Sequence, residues 1–251
     1  MHPRNHANMW KNHPLNPAKS FAFKGWMPVL VGIVCLWAGM GSLVQAQKWA
    51  TASRVGVGDA ASKEVLKKMS KKYRSMKSMQ AQVTVEMQGG AQQATEKRRG
   101  KLFLRGRKFR IDLGDQLIVS DGRNSWTYLK ETNEVSISLY EPSPDQITPD
   151  NLFTMYEKGF DSYLDQEKAG SGQSKMYLID LVPHNKKVSY FKVRLFVHAA
   201  SSLIHKAVVF DKSGMQYTYQ ITDFKANPKL KEDVFAFNPK AYPGVEVVDM
   251  R

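Results

Sequence analysis

One cysteine occurs in 251 residues, and Cys35 sits inside a long apolar run near the start of the chain. A lone thiol excludes an intrachain disulfide and a cysteine-based zinc site, and it leaves no thiolate nucleophile beyond residue 46. A lipid-attachment signal places a small residue before its cysteine. Here Val34 precedes it and apolar residues continue past it, so Cys35 does not read as a lipidation site. Acidic residues are missing from the first 46 positions, which carry Arg4, Lys11, Lys19 and Lys24. A basic start, an apolar run from Trp26 to Val44 and the segment Val44-Gln45-Ala46 ahead of Gln47 have the pattern of a cleaved secretory signal peptide. The rival is an uncleaved membrane anchor, since the run is nearly long enough to span. Pro28 and four glycines (Gly25, Gly32, Gly39, Gly41) weaken that rival. The expected organisation is a signal peptide over residues 1–46, a flexible lead-in over 47–58 and one extracytoplasmic domain over 59–251. Without disulfides such a domain must hold itself together by burial, and about 205 residues suffice.

Catalytic signatures are lacking too. There is no G-x-S-x-G elbow, no H-E-x-x-H and no phosphate loop. Beyond residue 46 only His184, His198 and His205 remain, the last two flanking a hairpin across which they can meet. Ordinary surface histidines are the favoured reading over a metal pair. Asp145, Asp150, Asp161 and Asp165 read as caps and solvent-side residues rather than paired catalytic carboxylates. No cofactor, metal or catalytic residue is expected, and the chain is not read as an enzyme.

Charge is lopsided. The chain has 37 basic and 23 acidic residues; removing the four basic residues of the first 46 positions leaves 33 against 23. Such a surplus raises the question of nucleic acid or anionic lipid. No nucleic-acid module is visible. The cations are spread over solvent faces apart from Lys67-Lys68, Lys71-Lys72 and the stretch from Lys97 to Lys101. A solvated surface is the first reading, and attraction to anionic headgroups or acidic partners the second.

What is present is alternation. Residues 100–139 place apolar side chains at every second position: Leu102 and Leu104; Phe109, Ile111 and Leu113; Leu117 and Val119; Trp126 and Tyr128; Val135, Ile137 and Leu139. Short turns at Arg105-Gly106-Arg107, Gly114-Asp115, Asp121-Gly122-Arg123 and Lys130 to Asn133 separate them, so the segment reads as an antiparallel five-stranded meander with one apolar face. Ahead of it, residues 59–79 carry Val65, Leu66, Met69, Tyr73, Met76 and Met79 at helical steps, with Asp59 or Ser62 as cap, and a strand follows over 81–87. After the meander, residues 149–165 show an aromatic stripe at helical spacing: Phe153, Tyr156, Phe160 and Tyr163. Gly159 in its middle can break it into two short helices. Strands resume over 175–182, 188–198, 203–211, 215–224, 234–237 and 245–250. The total is about twelve strands and two or three helices, which predicts a strongly curved sheet or barrel. Such a sheet has more concave apolar face than short helices fill, and the eight methionines after residue 46 suit a surface that adapts to its ligand.

The order of these pieces resembles a known family. The motif Gly100-x-Leu102-x-Leu104, then Phe109, then Ile118-Val119-Ser120-Asp121-Gly122 with Trp126 and Tyr128, is similar to the outer-membrane lipoprotein carrier family, LolA. So is the tail Phe235-x-Phe237-Asn238-Pro239 … Tyr242-Pro243-Gly244-Val245. Residues 150–160 resemble the lid segment of its longer bacteroidete-type members. The resemblance implies a mainly β fold with helices: a half-open antiparallel barrel, its curved sheet covered by an N-terminal helix and a lid helix. It implies a periplasmic carrier that moves lipoproteins from the inner to the outer membrane, monomeric, loaded by an inner-membrane ATP-driven exporter and relieved by an outer-membrane acceptor. The acyl chains would lie against Leu102, Leu104, Phe109, Ile111, Val119, Trp126 and Tyr128, with Phe153, Tyr156, Phe160 and Tyr163 at the mouth. Family members often carry an arginine followed by proline shortly before the aromatic at Phe109, and that arginine contacts the closed lid. Here the segment is Arg105-Gly106-Arg107-Lys108, which leaves that part to Arg105 or Arg107. An envelope-stress sensor of the same fold and a lipid or glycan hydrolase are the alternatives.

Overall fold

The computed structural model describes residues 59–89, 95–143, 146–165 and 175–251. The expected signal peptide, the lead-in and Asp145 lie outside them.

The one α-helix among the described residues, α1 (Ala60–Arg74), starts where Asp59 accepts the Ser62 backbone N–H. Its last turn carries Lys71, Lys72 and Arg74, the charge that suits the negative end of a helix dipole. Leu66, Met69 and Tyr73 are buried along one stripe, together with Ser62 and Ser70. The expected helix ran to residue 79. It stops five residues earlier, and Met79 opens the first strand.

Twelve strands follow: β1 (Met79–Gln88), β2 (Thr95–Arg105), β3 (Lys108–Asp112), β4 (Gln116–Ser120), β5 (Asn124–Leu129), β6 (Glu134–Leu139), β7 (Phe160–Asp165), β8 (Met176–Pro183), β9 (Tyr190–His198), β10 (Ile204–Asp211), β11 (Gln216–Ala226) and β12 (Glu246–Asp249). They form one open, curved sheet in the order β12-β6-β5-β4-β3-β2-β1-β11-β10-β9-β8-β7. Every pairing is antiparallel except β12 on β6, which is parallel. The meander is therefore β2–β6, as the alternation predicts. The last expected strands split: residues 232–235 form a 3₁₀ turn, and only Glu246–Asp249 pairs.

The lid helix over residues 149–165 is not formed. A single turn closes when the Leu152 N–H reaches the Thr148 carbonyl and the Met155 N–H that of Asn151. A 3₁₀ turn covers Met155–Glu157, and Lys158 leaves it in an extended conformation. Gly159 then takes φ +79°, where a glycine is at ease, and the chain enters β7. Asp150 does not cap a helix; it accepts the Tyr140 and Thr148 hydroxyls. The sequence Phe160-Asp161-Ser162-Tyr163-Leu164-Asp165 alternates, and that period prevails because β8 offers a full ladder.

Pairing register fixes the two faces of the sheet. On one face Met79 stands beside Leu104, Ala81 beside Leu102, Leu102 beside Ile111, Leu104 beside Phe109, and Ile111 beside Ile118. The same face continues from Val85 to Tyr219, Ala207, Leu195, Ile179 and Leu164. Helix α1 covers it. The Tyr73 ring meets Phe224 edge-on and its hydroxyl accepts the Ile204 N–H at 2.9 Å, while the Ser62 hydroxyl reaches Ser162 of β7. The other face carries Asp180, Arg194, Phe196 and Lys206 on one half. On the other half it carries Leu117, Val119, Trp126, Tyr128, Val135 and Ile137.

Gly100 explains the first glycine of the motif. A Cβ there would lie 1.8 Å from the Asp112 carbonyl oxygen, so only glycine lets β3 cross β2 this closely.

Candidate functional site

The face under α1 is the site candidate, because it is the apolar surface that runs across both halves of the sheet. Leu102, Leu104 and Phe109 are buried in it, and Ile111 is half-buried. Phe109 packs edge-on against Tyr140, with ring centroids 5.3 Å apart. These four residues come together as the sequence predicts.

Val119, Trp126 and Tyr128 do not join them. Val119 pairs with Arg110 on β3 and with Trp126 on β5, which puts all three on the opposite face. There Tyr128 packs with Phe237 and Tyr242 in a cluster that includes Leu117 and Val135, and Trp126 lies against it. The C-terminal segment roofs that cluster on its way to β12. The shared face expected for all seven residues is thus two faces, because β4 is apolar at Leu117, Ile118 and Val119 alike and each face uses different members of the run.

The aromatics of residues 149–165 also separate. Phe153 and Tyr156 are each 2% exposed. Phe153 stacks on Tyr73 of α1, and Phe160 on the helix side of β7 lies between Tyr156 and Tyr190. Tyr163 pairs with Asp180 and belongs to the outer face. The segment is part of the cover, tied to α1 by that stack and by an Arg74–Glu157 ion pair.

Neither candidate arginine hydrogen-bonds or ion-pairs with residues 149–165. Arg105 donates to the Leu230 carbonyl at 3.1 Å, pairs with Glu232 and lies over the Phe235 ring, so it holds the C-terminal segment. Arg107 donates to the Tyr140 carbonyl at 3.3 Å and sits over the Tyr140 ring. Tyr140 in turn donates to Asp150, so Arg107 reaches the cover through one intermediary.

Beside the expected Tyr156 stand two tyrosines that sequence reading did not assign to the site, Tyr73 and Tyr219. Burial pushes the Tyr73, Tyr156 and Tyr219 hydroxyls up, well above the ordinary phenol range, so they stay neutral. The Tyr156 hydroxyl has no hydrogen-bond partner among the described residues. The signal was present in the alternation of Tyr217, Tyr219 and Ile221 along β11. His198 and His205 do meet, with ring centroids 5.2 Å apart, on the outer face. Burial first, then the neighbouring His198 and Lys206 charges, hold His205 below the ordinary imidazole range. No group of three or more His, Cys, Asp or Glu able to hold a metal ion occurs among the described residues. No helix among them is long and apolar enough to cross a membrane.

The α1 side of the sheet is thus an apolar face edged by neutral hydroxyls. A family model described as outer membrane lipoprotein carrier protein LolA matches residues 74–238. An outer-membrane lipoprotein carrier protein of Legionella pneumophila (strain Lens) is 27% identical over 136 residues, 53% of this chain and 63% of that protein. The chain thus spans less than two thirds of that curated relative. Among solved structures, an uncharacterized conserved protein from Thermus thermophilus aligns with TM-score 0.49 and 17% identity, covering 75% of this chain and 99% of that one. A LolA superfamily protein from Nitrosomonas europaea aligns with TM-score 0.36 and 15% identity, covering 70% and 97%.

Proposed function

Because the chain belongs to the outer membrane lipoprotein carrier protein LolA family, we propose that it is a non-enzymatic periplasmic carrier. In this reading it holds the acyl chains of lipoproteins against the α1-covered face on their way from the inner to the outer membrane. An inner-membrane ATP-driven exporter supplies the cargo and an outer-membrane acceptor removes it. The observation that carries the reading is the continuous apolar face beneath α1, with Leu102, Leu104, Phe109 and Ile111 at its meander end.

The physical need is large. At about 0.8 kcal/mol per methylene, the chains of one lipid anchor expose tens of kcal/mol of apolar surface to water. Removing that surface from water takes a matching apolar face and a cover that can part from it. Helix α1 fits the second role: one stripe packs on the sheet while its opposite side faces solvent. The acyl-binding set is then Leu102, Leu104, Phe109 and Ile111, with Phe153, Tyr156 and Phe160 under or beside the cover. Val119, Trp126, Tyr128 and Tyr163 drop out as residues of the outer face.

The test is native mass spectrometry of the protein recovered from the periplasm, with and without Ile111→Glu. Lipoprotein or lipid bound to the wild type and lost from the variant supports the reading. A wild-type protein free of lipid, which also fails to take up acyl chains presented in detergent, overturns it.

A further inference from the structure

The solvent side of α1 is more basic than a covering helix requires. Lys63, Lys67 and Lys71 follow one another at four-residue steps, as do Lys68 and Lys72, and all five are exposed. The only acidic residue in the helix is Glu64, which pairs with Lys68 at 3.6 Å. Like charges four residues apart destabilise a helix by roughly what an opposite pair would contribute. At Lys63 and Lys67, ahead of the last turn, the stripe therefore works against the helix, while Lys71 and Lys72 complement its dipole.

The stripe does not end with the helix. The turn after α1 is fastened to the end of β11: the Lys77 N–H donates to Asn227 at 2.7 Å, and the Ser78 hydroxyl donates to the Pro228 carbonyl at 2.7 Å. That fastening brings exposed Lys77, and exposed Lys229 just beyond Pro228, to the C-terminal end of the helix. Basic residues thus extend the stripe from α1 to the loop after β11.

We infer that this face docks on an anionic bilayer surface, with the lysines of α1 against lipid headgroups and the helix axis along the membrane plane. Charge complementarity names the partner. Lysines on flexible stems suit the diffuse charge of a headgroup layer, whereas a specific protein contact favours arginine forks and aromatic anchors. The exposed side of α1 offers no large apolar side chain, so binding is electrostatic and reversible, not insertion. Docking this way sets the covering helix, and no other element, against the membrane. The inference stands on the charge pattern alone and holds whether or not the face beneath carries acyl chains.

The experiment is sedimentation of the full chain with vesicles of phosphatidylcholine alone or mixed with phosphatidylglycerol, at low and at physiological ionic strength. Wild-type protein should bind the anionic vesicles, release with salt, and ignore the neutral ones. Replacing Lys67, Lys71 and Lys72 together by Gln should weaken anionic binding on the order of 100-fold, from about fivefold per lysine. The same replacement at exposed Lys130, Lys187 and Lys240 lowers net charge equally and should leave most of the binding. Segments outside the described residues are common to all three proteins and cancel in the comparison. Equal loss in both triple variants overturns the inference in favour of net charge alone. Absence of any preference for anionic vesicles also overturns it and hands the stripe to an acidic protein surface.

Discussion

The ring of Tyr73 lies 4.2 Å from that of Phe153, with the two planes inclined by 20°. One belongs to α1 and the other to the segment between β6 and β7, so the stacked pair, beside the Arg74–Glu157 ion pair, joins the two pieces that cover the sheet. Phe153→Ala should cost about 3–5 kcal/mol in urea unfolding, the usual range for a large buried aromatic. Phe160→Ala, on the half-buried rim at edge strand β7, should cost clearly less. A larger loss at Phe160 would mean that the cover is anchored at the sheet edge and not through α1.

Tyr156 is buried with its hydroxyl unpartnered among the described residues. Leaving a buried hydroxyl unsatisfied costs roughly 1–3 kcal/mol, so Tyr156→Phe should be neutral or should raise the melting temperature. Calorimetry decides, and a lowered melting temperature would reveal a partner for that oxygen.

Gly100→Ala drives a methyl group into the Asp112 carbonyl. The backbone of β3 must shift, at about 1–3 kcal/mol for an overpacked site. Amide exchange should show the loss concentrated in the β2–β3 ladder. Gly106→Ala offers the contrast: a methyl there meets nothing within 4 Å and suffers only from the positive φ.

His205 titrates below its ordinary value of 6.5 because of burial and the His198 and Lys206 charges. The folded state binds its proton less readily than the unfolded chain. The stabilising contribution is therefore complete above pH 6.5 and is lost as pH falls through the lowered folded value. An NMR titration should place His205 below 6.5, and His198→Gln should move it upward. A His205 that titrates at or above 6.5 in the wild type would contradict the packing of the pair.

The meander was legible because its turns are short and its strands alternate; Leu102, Leu104, Phe109 and Ile111 shared a face for that reason alone. The phase across β4 was not. With Leu117, Ile118 and Val119 consecutive, period two permits either side, and only the pairing Val119–Trp126 settles it. The same ambiguity hid β7: in Phe160-Asp161-Ser162-Tyr163-Leu164-Asp165 the aromatic residues fit a helical stripe as well as a strand. What decided was long-range, a neighbour in β8 and a glycine at positive φ, and neither pairing partner nor backbone angle is written in local spacing. Arg105 and Arg107 illustrate the same limit, since their partners Glu232 and Tyr140 lie far along the chain.

Strand β1 has its sequence neighbour β2 on one side and β11 on the other. The strands β1–β6 and the run β7–β11 are each assembled from local hairpins, while the ladder between them joins Val83 to Ile221 and Met87 to Tyr217. Non-local pairing is the slow part of folding. β1 is made long before β11 and stands with one unsatisfied edge until β11 follows, a template for pairing with another chain. Pulse-labelled exchange should find the β1–β11 amides protected last.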